Sequence, residues 1–298
     1  MADPARSTAQ GAQSAADAAV LQIEPTRWGV RLILDRPKVL NALNHELVGA
    51  LDRAIVAVGA DPSVRVVVIA GNGRAFSSGY DLNEEVDEVI DGPLQWRDLL
   101  AADIATTLRV WSCPKPVIAQ IHGYCLAGGL ELAMACDLIV AAAGTKLGEP
   151  EIRYGSAPVT LLMPYLIGQK KTRELLLTGD LIDADEAERI GLVNRVVPAD
   201  RLTAEVDALA DRIARTPPEV LRLTKAMLNR AMDAAGLQES IAAGLDLGSI
   251  INAADTPEQR EWDALVRRDG VKAALAWRDA RYEADRPGPI GDGDRPNG

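Results

Sequence analysis

"KPVIAQIHGYCLAGGLELAMACDLIVAA", residues 115–142, is the stretch that decides the fold. Its ends, 115–123 and 136–142, are short, almost wholly apolar runs, which read as strands buried on both faces. Between them Gly128 and Gly129 stand where a helix begins, and Glu131 follows inside an Ala- and Leu-rich run. Strand, glycine turn, helix and strand in succession is the alternation of an α/β protein. Glu131 is the anomaly. A carboxylate on a buried face is costly unless it is paired, hydrogen-bonded or neutralised.

The same alternation extends upstream. "VLQIEPTRWGVRLILD", residues 20–35, reads as two strands around a turn. In residues 44–61 the apolar positions Leu47, Leu51, Ala54, Ile55 and Val58 follow a helical period, with Asn44 placed as N-cap. "VRVVVIAGNG", 64–73, is an apolar strand that stops at a Gly-Asn-Gly turn. Beyond residue 200 only helices are read, at 201–214, 217–235, 238–254 and 257–284, the last broken near Gly270. Both chain ends read as disordered, 1–18 being small and polar and 285–298 rich in Pro, Gly and Asp. The expected division is therefore a disordered segment 1–18, a core 19–200, a helical region 201–284 and a flexible tail 285–298.

Composition excludes several classes of function. The chain has 298 residues but only 4% aromatic ones, so Ala, Val, Leu and Ile must fill the core. Asp and Glu outnumber Lys and Arg by 43 to 32, and a net charge of −11 argues against a nucleic-acid or anionic-membrane surface. Cys113, Cys125 and Cys136 form no C-x-x-C pair and only two His are present, which disfavours a disulfide framework and a metal site. No apolar run reaches the ~20 residues of a membrane span. The start lacks the apolar stretch of a signal peptide, so the expectation is a cytoplasmic protein.

Residues 64–82, "VRVVVIAGNGRAFSSGYDL", invite three readings. A dinucleotide fingerprint fails, because Gly71-x-Gly73-x-x-Phe76 puts a large side chain where close helix packing needs glycine. A nucleophile elbow at Ala75-x-Ser77-x-Gly79 lacks its first glycine, and only His45 and His122 exist to serve it. The third reading pairs the turn "SSGYD" with the helix start at Gly128. Each can present a backbone N–H, and two such donors on one oxygen form an oxyanion hole. A helix start packed closely on a strand is equally compatible with these residues. In "KLGEPEIRYGSAP", 146–158, Glu149 and Glu151 flank Pro150. A loop Glu is ordinarily solvated, but buried carboxyl groups side by side would raise at least one pKa and supply a proton donor beside an acceptor.

Five ordered blocks, "PKVLNALN", "GRAFSSGYDL", the opening stretch, "LGEPEIRYGSAP" and "LLLTGDLIDADEAERIGLVNRVVP", together resemble the enoyl-CoA hydratase/isomerase, or crotonase, superfamily. The resemblance spans about residues 20–281. It implies an α/β fold with a crotonase-like (ββα)n spiral core and a C-terminal helical region that supports homotrimers or dimers of trimers. It also implies an acyl-CoA thioester substrate and no metal or redox cofactor. Carried over by motif, the backbone N–H groups of Tyr80 and Gly128 form the oxyanion hole. Glu131 matches the residue that activates water for attack on Cβ, and Glu151 the one that protonates Cα. The CoA contacts fall on Lys38, Leu40 and Ala42, and on Ser78, Tyr80, Asp81 and Leu82, with Gly128 at the thioester. Glu149 is expected to be a bystander.

Retention of both acids favours hydration. Isomerisation, thioester hydrolysis, decarboxylation or a catalytically weak CoA-binding scaffold stay open as alternatives. Two departures from the family pattern stand out. "VTLLMP", 159–164, replaces a glycine-rich run, so that Val159 occupies the place of a glycine whose N–H helps hold the water. Tyr80 stands where many hydratases have Ala.

Overall fold

The five runs read as strands pair, together with a sixth strand at Arg195–Val197, into a six-stranded sheet in a computed structural model that describes residues 15–87 and 90–283. In chain order come α1 (Ala15–Val20), β1 (Leu21–Thr26), β2 (Gly29–Leu34), α2 (His45–Ala60) and β3 (Val66–Gly71). Next are α3 (Leu82–Asp87), α4 (Gly92–Ser112), β4 (Val117–Ile121), β5 (Tyr124–Leu126), α5 (Gly128–Ala135), β6 (Leu138–Ala142) and β7 (Lys146–Gly148). α6 (Met163–Ile167), α7 (Gln169–Thr178), β8 (Ile182–Asp183), α8 (Ala184–Arg189) and β9 (Arg195–Val197) complete the mixed part. Five helices follow: α9 (Leu202–Ala214), α10 (Pro218–Ala234), α11 (Leu237–Asn252), α12 (Pro257–Asp269) and α13 (Val271–Glu283).

The large sheet runs in the order β1-β2-β3-β4-β6-β9, with β1 and β2 antiparallel and the remaining pairs parallel. β5, β7 and β8 make a smaller sheet. After β4 and again after β6 the chain crosses at once to the small sheet. Helix α5 then carries it from β5 back to β6, so two strands and a helix form the repeating unit.

Alternation along each strand explains how the large sheet is buried. Val67 and Ile69 enter one core together with Leu47, Leu51 and Ile55 of α2. Val66 and Val68 join Ile118 and Val140 under Trp28 and α9 residues Leu202 and Val206. Successive side chains point to opposite faces, so wholly apolar strands require a covering layer on each side. Asn44 caps α2 by accepting the Leu47 N–H, a contact worth about 1 kcal/mol.

Three features differ from the sequence reading or lie beyond it. Residues 15–18, expected within the disordered segment 1–18, belong to α1, whose buried Asp17 is held by Arg53 of α2. Residues 1–14 and 284–298, and with them the expected tail, lie outside the described residues. α4 occupies 21 residues to which the sequence reading assigned no element. The break expected near Gly270 separates α12 from α13, with Gly270 at φ 84°. No helix among the described residues is long and apolar enough to cross a membrane.

Candidate active site

The turn after β3 is braced from below by Asn41. This fully buried residue, itself at φ 54°, donates its amide to the carbonyls of Asn72 at 2.9 Å and Ala75 at 2.8 Å. Its side-chain Oδ1 accepts the Arg36 N–H at 2.9 Å. Ser77 Oγ donates to the Asn41 carbonyl at 2.9 Å and accepts the Gly79 N–H at 3.2 Å. Leu43 binds both flanks of Tyr80, donating to the Gly79 carbonyl at 2.8 Å and accepting the Asp81 N–H at 3.1 Å. Residues 78–82 are thus pinned against residues 36–43.

The start of α5 faces this turn. Ala127 takes φ 53°, ψ −135°, a conformation that a side-chain-bearing residue adopts only at a cost of about 1–3 kcal/mol. Its carbonyl accepts the N–H groups of Leu130 and Glu131. Gly128 and Gly129 open the helix, so their N–H groups have no acceptor within it. Close approach demands glycine at both positions. A methyl carbon on Gly128 would lie 2.5 Å from the Tyr80 ring, and one on Gly129 would lie 2.7 Å from Ser77 Cβ. The Tyr80 ring rests on Gly128, so the two segments matched to the oxyanion hole touch one another.

Glu131, one turn further, is 3% exposed. Its Oε1 accepts the Val159 N–H at 3.0 Å and the Thr160 N–H at 2.8 Å, and its Oε2 accepts the Thr160 hydroxyl at 3.0 Å. Burial raises its pKa; the donors from Thr160 and Val159 oppose the rise and only partly cancel it. A carboxylate offers about four acceptor positions, so these three bonds leave one, on Oε2. The Val159 N–H, expected to hold water, is given to Glu131 instead. Thr160 was not singled out from sequence, and a lone Thr in an irregular segment carries no signal that could have done so.

Glu151, 8% exposed, sits in a 3-10 turn over Pro150–Tyr154. Glu149 is not the solvated loop acid that its position suggests. It is 2% exposed and its Oε1 has no hydrogen-bond partner among the described residues. Burial first, and then the charges of Glu131 and Glu151, push its pKa well above the usual carboxylate range.

Every residue matched to catalysis or to CoA lines one cavity of about 1370 Å³. Asp81 on its rim is paired with Arg36 at 2.9 Å. Burial favours its neutral form, but the bonds from Arg36 and Asn83 outweigh that and hold its pKa below the usual value. Leu99, Leu100 and Ile104 of α4 join Val159 in an apolar wall.

The C-terminal helices roof the cavity. Trp262 of α12 stacks on Tyr154 with ring centres 4.2 Å apart, and Arg267 donates to the Val86 carbonyl of α3 at 2.8 Å. Arg74, Arg267, Lys272 and Arg278 add cations to the rim where the sequence reading had only Lys38. The last three straddle the α12–α13 break, so no helical period connects them. Cys113, Cys125 and Cys136 are free and buried, and burial raises each thiol pKa. No cluster of His, Cys, Asp and Glu among the described residues is arranged to hold a metal ion.

Comparison with known proteins points the same way. The family described as enoyl-CoA hydratase/isomerase matches residues 28–261. A putative enoyl-CoA hydratase of Thermus thermophilus is 37% identical over 267 residues, which is 88% of this chain and 100% of that protein. A crotonyl-CoA hydratase of Syntrophomonas wolfei is 38% identical over 205 residues, 67% of this chain and 78% of the relative. The crystal structure of an enoyl-CoA hydratase/isomerase from Xanthobacter autotrophicus Py2 superposes with a TM-score of 0.85 at 40% identity, covering 88% of this chain and 98% of that one.

Proposed function

Because the chain belongs to the enoyl-CoA hydratase/isomerase family and has the crotonase fold, we propose that it adds water across the double bond of a 2-enoyl-CoA thioester. The observation that carries this reading is Glu131, a buried carboxylate on the cavity wall whose donors leave one acceptor position open. That position accepts a proton from water. The water oxygen bonds to Cβ, and the π electrons move through Cα to the thioester carbonyl. The N–H groups of Tyr80 and Gly128, matched by motif, receive the oxyanion, typically the largest single electrostatic contribution in acyl chemistry. Glu151 then gives its proton to Cα, and the product is a 3-hydroxyacyl-CoA. Exchange with solvent returns a proton to Glu151 and removes one from Glu131. Only protons and water move, so the reaction calls on no metal or redox cofactor.

Lys38, Arg74, Arg267, Lys272 and Arg278 line the cavity among Asp255, Asp263 and Asp279, and are the cations available to neutralise the phosphates of CoA. An oligomer, in the homotrimeric or doubled-trimer form common in this family, is supported by an exposed apolar row. Val220, Leu223 and Met227 on α10 repeat at helical spacing, and Leu247 and Ile250 on α11 are also exposed. Light scattering on the eluted protein checks that expectation.

The functional test is direct. A panel of 2-enoyl-CoA thioesters of increasing length is incubated with the protein, loss of the conjugated enoyl absorbance is followed, and the product is identified. A 3-hydroxyacyl-CoA is the expected product. A shifted double bond without added oxygen would make the protein an isomerase, and free CoA would make it a hydrolase.

A further inference from the structure

The segment that feeds hydrogen bonds to Glu131, residues 157–162, has no regular secondary structure of its own. It rests instead on α11. A methyl carbon on Gly244 would fall 2.4 Å from the Val159 carbonyl oxygen and 3.6 Å from Leu161 Cδ1. One turn on, a methyl carbon on Gly248 would fall 3.3 Å from Val159 Cγ2 and 3.6 Å from Leu100 Cδ1 of α4. Two glycines four residues apart on one helix face therefore receive both the backbone and the side chain of the same residue. Helix propensity alone would favour alanine at both positions, so packing is the reason for glycine there.

The opposite side of this segment faces the base. The N–H of Val159 and that of Thr160 both point at Glu131 Oε1. Hydrogen bonds of this kind weaken steeply as distance and angle degrade, so a displacement of the Val159 carbonyl is passed directly to Glu131. We propose that Gly244 and Gly248 form a seat on α11 that sets the position of residues 158–160, and through their N–H groups the orientation and proton affinity of Glu131. Gly244 is then a positioning residue for a base it does not touch. This rests on the reading of Glu131 as the group that activates water. Asp246 of α11 pairs with Arg97 of α4 at 2.7 Å, Glu151 and, from α4, Asp103 line the cavity, and Glu149 lies within charge range of Glu131; the last three lie outside α11.

The test compares Gly244→Ala and Gly248→Ala with the unaltered protein across pH. The seat predicts that Gly244→Ala lowers kcat by about 10- to 100-fold, the range for a slightly misplaced catalytic group, while KM changes little. It also predicts that the acid limb of the kcat profile moves to higher pH, since lost donors leave the Glu131 anion less stabilised. Gly248→Ala meets only side-chain methyls, Val159 Cγ2 and Leu100 Cδ1, that can give way, so its effect runs the same way and is smaller.

A folded Gly244→Ala protein with unchanged kcat and an unmoved acid limb overturns the proposal. If that variant does not fold, an unmoved profile in Gly248→Ala overturns it. Should the unaltered protein hydrate no enoyl-CoA, the functional reading fails separately. A crystal structure of whichever variant folds then decides on the seat alone. Both N–H bonds to Glu131 Oε1 kept within about 3.2 Å would sink it, and their lengthening beyond that would support it.

Discussion

Glu131 and Glu149 are the same residue type, buried to nearly the same degree in one cluster of carboxyl groups, and they differ in what surrounds them. Glu131 receives two backbone N–H groups and a hydroxyl. Glu149 receives no bond at Oε1 and faces two other carboxyl groups. Desolvation pushes both pKa values up, but only at Glu131 is it opposed by donors. Burial thus acts alike on the two carboxyl groups, and the donors are what set them apart: three stabilise the Glu131 anion, and none offsets burial at Glu149 Oε1.

The largest expected effect tests the Glu131 half. Glu131→Gln keeps the shape but removes the base, and general-base loss of about 10²- to 10⁴-fold in kcat is expected. Glu149 does not line the cavity, so Glu149→Gln should leave hydration at pH 7 within about threefold of the original. Equal losses in the two variants, measured with the same enoyl-CoA, would erase the distinction between the two acids.

Glu149 carries its own pH signature. Its folded-state pKa lies above the unfolded value of about 4.3. A raised acid pKa means that its contribution to stability is full below the unfolded pKa and is lost as pH rises towards the folded one. In that window the original protein loses about 1.4 kcal/mol per pH unit from this group, and Glu149→Gln does not. The variant should therefore match the original near pH 4 and gain melting temperature over it as pH rises. A constant difference at all pH values would mean that Glu149 is already ionised in the fold.

Much of the scaffold was legible because its signals are local. The apolar runs of β3, β4 and β6, the Asn44 cap and the Gly270 break each lie within a few residues of the element they define. α4 gave no such signal. Two of its four buried residues are Thr106 and Thr107, beside Ile104 and Val110, so the apolar period of its inner face is diluted. At the site, the matched residues could be located by motif. The dryness of Glu149 could not, since only the fold brings Cys125 of β5 and Glu131 of α5 close to it. The donors of Glu131 were equally hidden, because backbone N–H groups of an irregular segment leave no trace in side-chain pattern.

Thr160 offers the finest division between the two acids. Among the described residues its hydroxyl is the one side-chain donor to Glu131, while its N–H bond to Oε1 does not depend on the side chain. Thr160→Val removes the hydroxyl at nearly constant volume and leaves both backbone bonds in place. A hydrogen bond to a charged group is worth about 1.5–3 kcal/mol, so the Glu131 pKa should rise by about one to two units. The acid limb of kcat then moves up by that amount, while the rate on the high-pH plateau falls by less than about tenfold. Thr160→Ser, which keeps the hydroxyl, should restore the original limb. If valine leaves the limb where it was, the hydroxyl does not stabilise the anion, and the contrast with Glu149 rests on the two backbone donors alone.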